Sequence, residues 1–121
     1  MHCSHCMVDS VSRSLEKYMD VLSARQKLVA SNIANVDTPG YKTQDIDFQA
    51  AFNESLKSDS ASIQPKEVTG IRVKNDGNSV NLDREARLLS ENSIRFSIAT
   101  NLMKGQLRTL KSAIHEGQGA A

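Results

Sequence analysis

The residues best able to do chemistry come first in the chain. Met1-His2-Cys3-Ser4-His5-Cys6 puts two thiols and two imidazoles into one short run. Such a set points to zinc or to dithiol redox chemistry. A closed zinc site takes four ligands in a tetrahedron, normally two pairs separated by a loop. Here the second pair is missing, and the third histidine, His115, lies near the other end. A thioredoxin-like dithiol needs a strand before it and a helix after it within a βαβ pattern. Nothing precedes this pair. Residues 1–7 therefore read as a flexible tail, with no metal and no cofactor.

Asp45 and Asp47 are the next candidates, as paired carboxylates for acid–base work. Asp47 is better explained as the N-cap of a helix beginning at Phe48, and both precede a surface helix. No nucleophile has a plausible base, and no Gly-rich loop could cradle phosphate. The sequence predicts a protein that is not an enzyme.

The stretch that organises the chain is Ala30-Ser31-Asn32-Ile33-Ala34-Asn35-Val36-Asp37-Thr38-Pro39-Gly40-Tyr41-Lys42. A long helical pattern precedes it and breaks off within it. Asn35 tolerates the left-handed conformation of a helix end. Thr38 precedes proline, which pushes it into extended backbone. Pro39 and Gly40 suit the central positions of a type II turn, so Tyr41 leaves in a fixed direction. Asn32 and Asn35 share one side of the helix. Their amides either hydrogen-bond backbone on a neighbouring subunit or cap their own helix, and Tyr41 packs on a neighbour or on its own helix end.

Around that break the elements follow from periodicity. Asp9 to about Asn35 reads as one helix, capped by Asp9 or Ser10. Val8, Val11, Leu15, Tyr18, Leu22 and Val29 step by threes and fours, with Arg25 filling one position of the stripe. Phe48, Ala51, Phe52 and Leu56 share a face of a short helix capped by Asp47. Lys57 to Pro65 is polar and reads as a mobile linker. Val68, Ile71 and Val73 suggest a weak strand, and Asn75-Asp76-Gly77-Asn78 a turn, so a small hairpin or an extended loop follows. A second long helix starts near Asn81 or Asp83 and ends at Gly117. Leu89, Asn92, Phe96, Ala99, Met103, Gln106, Leu110 and Ala113 form its stripe, and Gly105 marks a place for close helix approach.

The fold class is thus mainly α: long N- and C-terminal helices paired as an α-helical coiled coil, with a short helix and a polar, partly disordered or β-hairpin middle. The chain divides into a tail at 1–7, a first helix and turn at 8–44, a variable middle at 45–82, and a second helix and tail at 83–121. Of its 121 residues, 39% are hydrophobic and 4% aromatic, with no Trp. Two stripes drawn from that composition make a thin core, so the helices are expected to be completed by neighbouring subunits. Fifteen basic and 14 acidic residues give a net charge of +1, which argues against a nucleic-acid partner. No apolar run reaches membrane-spanning length, so no direct membrane insertion is expected. No basic segment followed by an apolar one opens the chain, so no cleaved signal peptide is visible.

The string Ser31 to Tyr41, with Asn-x-Ala-Asn then Thr-Pro-Gly-aromatic at the end of a heptad helix, resembles the N-terminal signature of bacterial flagellar rod and hook proteins. Asp45-Ile46-Asp47-Phe48, the run from Gly77 to Glu85 leading into Glu91-Asn92-Ser93-Ile94-Arg95-Phe96, and Leu110-Lys111-Ser112-Ala113-Ile114 resemble the proximal rod members in particular. The likeness spans about residues 8–117 and leaves the Cys/His segment unexplained. It implies a structural subunit of the flagellar basal-body proximal rod, which self-assembles by coiled-coil packing, transmits torque and forms the export channel. The implied partners are other flagellar rod proteins, the rod-to-MS-ring adaptor protein and the flagellar export apparatus. The implied location is the periplasmic rod of the basal body, reached without a cleaved signal peptide. In that reading Asn32, Ala34, Asn35, Thr38, Pro39, Gly40 and Tyr41 form the signature turn. Val11, Leu15, Tyr18, Leu22, Val29, Leu89, Asn92, Phe96, Ala99, Met103 and Leu110 form the helix seam. The periodicity alone equally fits a cytoplasmic helical adaptor that binds a partner helix.

Overall fold

A computed structural model of the chain describes residues 4–60 and 62–119. Helix α1 spans Ser4–Ala34, strand β1 Gln44–Asp45, helix α2 Phe48–Lys57, strand β2 Lys66–Glu67 and helix α3 Leu82–Gly119. The chain is mainly α, as its periodicities predict.

Helix α1 starts five residues ahead of the expected cap at Asp9. The segment read as a tail is therefore helical from Ser4 onward, and Met1 to Cys3 lie outside the described residues. Ser4 to Val8 contain neither Gly nor Pro, and extending an existing helix costs far less than nucleating one. At its other end α1 stops at Ala34 without a left-handed residue. Asn35 keeps a negative φ, since the positive-φ residues among those described are Gly40, Gly70 and Gly77.

Helix α3 packs antiparallel along α1, with Asn92 beside Leu22 and Gln26. Asn81 caps its start through Oδ1, which accepts from the N–H groups of Asp83 and Arg84 at 3.0 and 3.2 Å. Gly117 does not end it; the helix continues to Gly119. Beyond its chain neighbours and its own helix backbone, nothing lies within 4 Å of a Cβ built on Gly105, so among the described residues no second helix approaches there.

The core sits where the helices meet the middle of the chain. Val21, Leu22 and Val29 of α1, Leu88 and Ala99 of α3, and Ile46 and Val80 between them are buried. Short helix α2 is capped by Asp47, whose Oδ1 accepts from the Ala50 N–H at 3.2 Å. It docks on α1 through aromatics: Tyr18 meets Phe48 and Phe52 edge-on, with centroids 5.3 and 5.5 Å apart. Leu56 is exposed rather than on the docked face, and Ser55 is buried in its place.

The middle departs from expectation in two ways. The strand is not the run from Val68 to Val73 but Lys66–Glu67, and its partner is β1, with Gln44 opposite Glu67 and Asp45 opposite Lys66. The polar segment after α2 is also tied down, because Asp59 pairs with Arg13 and Lys17 of α1.

Candidate functional site: the signature turn and its buried polar network

The helix break is held by side chains that imitate backbone. Asn32 lies on the last turns of α1 and is 1% exposed. Its Nδ2 donates to the Gln44 carbonyl at 2.8 Å, and its Oδ1 accepts the Gln44 N–H at 3.0 Å. One amide thus makes both bonds that a neighbouring strand would make. The Tyr41 hydroxyl donates to the same Oδ1 at 3.0 Å. Asn35 closes its own helix: Nδ2 donates to the Ser31 carbonyl at 2.8 Å, and Oδ1 accepts from Thr38 Oγ1 at 3.0 Å. Both asparagines and Tyr41 therefore spend these bonds inside the chain.

Thr38 to Tyr41 form the anticipated turn. The Tyr41 N–H donates to the Thr38 carbonyl at 3.2 Å, and Gly40 takes φ +76°. Against it lies a second turn. There the Gly77 N–H donates to the Lys74 carbonyl at 2.9 Å, and Gly77 takes φ +85°.

Asn78, fully buried, joins the two. Its Nδ2 donates to the carbonyls of Asn35 and Thr38, both at 2.8 Å, and its Oδ1 accepts the Val80 N–H at 2.8 Å. Thr43 and Ser79 continue the seam. The Thr43 N–H donates to Ser79 Oγ at 2.8 Å and Thr43 Oγ1 donates to the Ser79 carbonyl at 2.9 Å.

A charged cluster completes the junction. Arg25 grips Asp45 with two bonds of 3.1 and 3.0 Å. Arg84 donates to Asp45 at 2.7 Å and to Glu85 at 2.8 Å. Burial alone would raise the Asp45 carboxyl. The bonds from Arg25, from the Ile46 N–H and from Arg84 outweigh that effect and hold it below the ordinary carboxylate range. Glu85 is fully buried, and its Oε2 has no partner among the described residues.

This cluster sets how α3 is rotated. Glu85, Leu88, Asn92 and Ala99 form its buried row. Asn92 Nδ2 donates to the Leu22 carbonyl at 2.9 Å and to Gln26 Oε1 at 3.0 Å. Of the anticipated seam, Leu22, Val29, Asn92 and Ala99 are buried, and Leu15, Tyr18, Met103 and Leu110 half-buried. Val11, Leu89 and Phe96 are exposed; on α3 the inward row runs through Glu85 and Leu88, which leaves Leu89 and Phe96 outside it. Of the signature residues, Ala34, Thr38, Pro39 and Gly40 are exposed, while Asn35 and Tyr41 are half-buried.

Four groups central to this network escape a reading by periodicity: Thr43, Asn78, Ser79 and the ion cluster. Arg25 was the available signal. A cation filling an apolar position of a stripe needs a buried counter-charge. Nothing local says that the counter-charge is Asp45.

Residues 19–42 match the family described as flagella basal body rod protein. That match runs from the middle of α1 through the signature turn. Over most of its length the chain is similar to the flagellar basal body rod protein FlgB of Borrelia hermsii. The two are 30% identical over 122 residues, covering 81% of this chain and 90% of that protein. The chain belongs to the flagellar basal-body rod family. Rod proteins FlgB of Yersinia enterocolitica and Escherichia coli (strain K12) are 27% and 26% identical over 133 residues, each covering 91% of this chain. The role of this rod protein is structural, and it assembles with other components of the flagellar basal body.

Proposed function

We propose that the chain is a subunit of the proximal part of the rod, which builds by helix packing against copies and kin, carries torque and lines the export channel. The observation that supports this most is the distal half of α3. From Thr100 to Gly117 no residue is buried, although Leu102, Leu107 and Ile114 are large and apolar. A helix of this length gains most of its stability from covering such a face, and here the chain itself does not cover it.

In this reading Val11, Leu15, Tyr18, Leu22 and Val29 of α1, with Leu89, Asn92, Phe96, Ala99, Met103 and Leu110 of α3, form the seams. The exposed Leu89 and Phe96 serve contacts between subunits. Asn32, Ala34, Asn35, Thr38, Pro39, Gly40 and Tyr41 fix where the chain turns away. Its working units are residues 8–44, 45–82 and 83–121. Its partners are other rod proteins, the adaptor joining rod to MS ring, and the export apparatus, which delivers it to the periplasmic rod.

Fractionation tests this. A rod subunit copurifies with isolated basal bodies. A chain left wholly in the soluble fraction would instead be a cytoplasmic adaptor.

A further inference from the structure

Asp76-Gly77 is the one Asp-Gly step in the chain, and Asn-Gly does not occur. An aspartate followed by glycine is open to ring closure, because glycine has no Cβ to shield its nitrogen and turns freely. The Gly77 nitrogen attacks Asp76 Cγ, an N–C bond forms, and one water leaves with the amide hydrogen and a carboxyl oxygen. The product is a five-membered succinimide. Water then breaks one of the two ring C–N bonds. Breaking the bond to Cγ returns aspartate. Breaking the bond to the main-chain carbon gives isoaspartate, in which the chain runs through Cβ and Cγ and the former main-chain carbonyl is a free carboxylate. Water lost equals water gained, and no co-reactant is needed.

In the folded chain both ends of the Asp76–Gly77 peptide are held. Its carbonyl accepts the Gly40 N–H at 2.9 Å, and its N–H donates to the Lys74 carbonyl at 2.9 Å. The nitrogen that must attack is therefore engaged as a donor. Asp76 Oδ1 accepts the Asn78 N–H at 3.0 Å, which ties the carboxylate to residue 78. On the far side, Lys42 Nζ donates to the Gly77 carbonyl at 2.6 Å. Swinging the Gly77 nitrogen onto Cγ rotates this peptide and breaks its bonds to Gly40 and Lys74 together. Solvent is not the barrier, since Asp76 is exposed. The barrier is the latch between the two turns.

We propose that Asp76 is a conformation-gated isomerisation site. The closed junction suppresses ring closure, the opened chain undergoes it, and the isoaspartyl product does not close again. The last step follows from bond lengths. Isoaspartate adds one carbon to the main chain just ahead of Asn78, whose Nδ2 must meet the carbonyls of Asn35 and Thr38, both at 2.8 Å. It also removes the Asp76 carbonyl from the position that accepts the Gly40 N–H. A chain left open is thus marked at Asp76 and stays open at the signature turn.

Incubating the full-length chain near neutral pH, native and in guanidinium chloride, tests this. Isoaspartate is counted by enzymatic methyl transfer to its carboxylate and located by peptide mapping. Isomerised Asp76 keeps its mass, whereas a deamidated Asn78 does not. Where opening and closing are fast, the native rate is the open-chain rate multiplied by the fraction open, so the unfolded chain should gain isoaspartate at Asp76 at least ~tenfold faster. Asn78→Ala should raise the native rate by ~tenfold, and Lys42→Met, which removes one hydrogen bond outside the buried network, by ~threefold. Lys42→Met keeps the test open should Asn78→Ala fail to fold. The isoaspartyl chain, separated by chromatography and returned to native buffer, should have lost the protection of its Gly40 amide against hydrogen exchange. Equal rates in native and unfolded chain would overturn the gating, as would a native rate unmoved by Lys42→Met. An isoaspartyl chain with Gly40 as protected as before would overturn the lasting opening.

Discussion

Gly77 and Gly40 meet back to back: a Cβ built on Gly77 would stand 3.3 Å from the Gly40 Cα. The Gly40 N–H donates to the Asp76 carbonyl at 2.9 Å in the same contact. The turn that ends the first helix is thus held by a turn from just before the second. Both glycines have positive φ, but only Gly77 is crowded; an added Cβ at Gly40 meets nothing within 4 Å. Gly40→Ala should cost ~1–2 kcal/mol from backbone conformation alone. Gly77→Ala should cost more, since a methyl group also presses on backbone. Urea unfolding of the two variants side by side gives the order, and equal losses would mean that the turns do not touch.

Asn78 fills a hole that only a primary amide fits. Its two donors meet two carbonyls and its oxygen meets an N–H, with no water needed. Asn78→Ala strands those groups and should cost ~2–4 kcal/mol, on the basis of ~1–3 kcal/mol for each buried polar group left unsatisfied. Asn78→Asp should be worse, because it turns a carboxylate toward two carbonyl oxygens. The local readout is amide exchange at Gly40 and Ser79, which should speed up before the helices melt.

What could be read from residues alone was whatever is local. Turn chemistry at Thr38-Pro39-Gly40-Tyr41, the cap at Asp47 and the long apolar periods all depend on neighbours in sequence. The polar junction could not be read that way. Asn75 to Asn78 announces a turn, yet nothing in it says that Asn78 reaches back to Asn35 and Thr38. Strand pairing failed for the same reason: Lys66 and Glu67 have no β-pattern and become a strand because Gln44 and Asp45 lie beside them. Nor could the apolar stripe of α3 announce that Glu85 shares the inward row with Leu88, Asn92 and Ala99, because Asp45, which Arg84 beside it grips, lies far off in sequence.

Arg84 is the one described side chain bonded to Glu85, which is fully buried. Removing one partner of a buried pair leaves an uncompensated charge at ~3–5 kcal/mol, whereas replacing the whole pair with apolar residues can be neutral. Arg84→Ala should therefore destabilise strongly, and Arg84→Met combined with Glu85→Leu should recover most of the loss. Calorimetric midpoints for the single and double variants check this; a double variant no better than Arg84→Ala would show that Asp45, not Glu85, is the partner that matters.

Acid should loosen the same cluster. Asp45 titrates lower in the folded chain than its ordinary value of about 3.9. A depressed folded value means that its stabilisation is present above the unfolded value and is lost as pH falls through the folded one. The junction should hold from neutral pH down to about pH 4 and weaken progressively below it. Asp45→Asn should flatten that acid limb while lowering stability at pH 7. Urea midpoints at pH 7, 4 and 3 decide between this and a pH response spread over the exposed carboxylates, in which case Asp45→Asn would leave the slope intact.

The subunit has a closed end and an open end, and a dilute monomer should exchange its amides accordingly. In α1 the described buried residues lie between Val21 and Asn32; in α3 they lie between Glu85 and Ala99. All of them lie in the half of their helix nearer the turn junction. Toward the other end, Val11, Leu102, Leu107 and Ile114 remain exposed, and an open apolar groove of about 440 Å³ runs between Val11, Leu15, Tyr18, Phe52, Ile98 and Leu102. Helical residues without buried contacts open at little free-energy cost, whereas those in a packed core open only with the whole domain. Amides of 29–46 and 78–92 should therefore be the slowest to exchange, and those of 10–18 and 103–117 orders of magnitude faster. Assembly would then be the step that orders the open end, with neighbours covering the groove. Uniform protection along both helices, with one cooperative melt at high dilution, would show that the monomer is already complete and that assembly adds contacts without adding order.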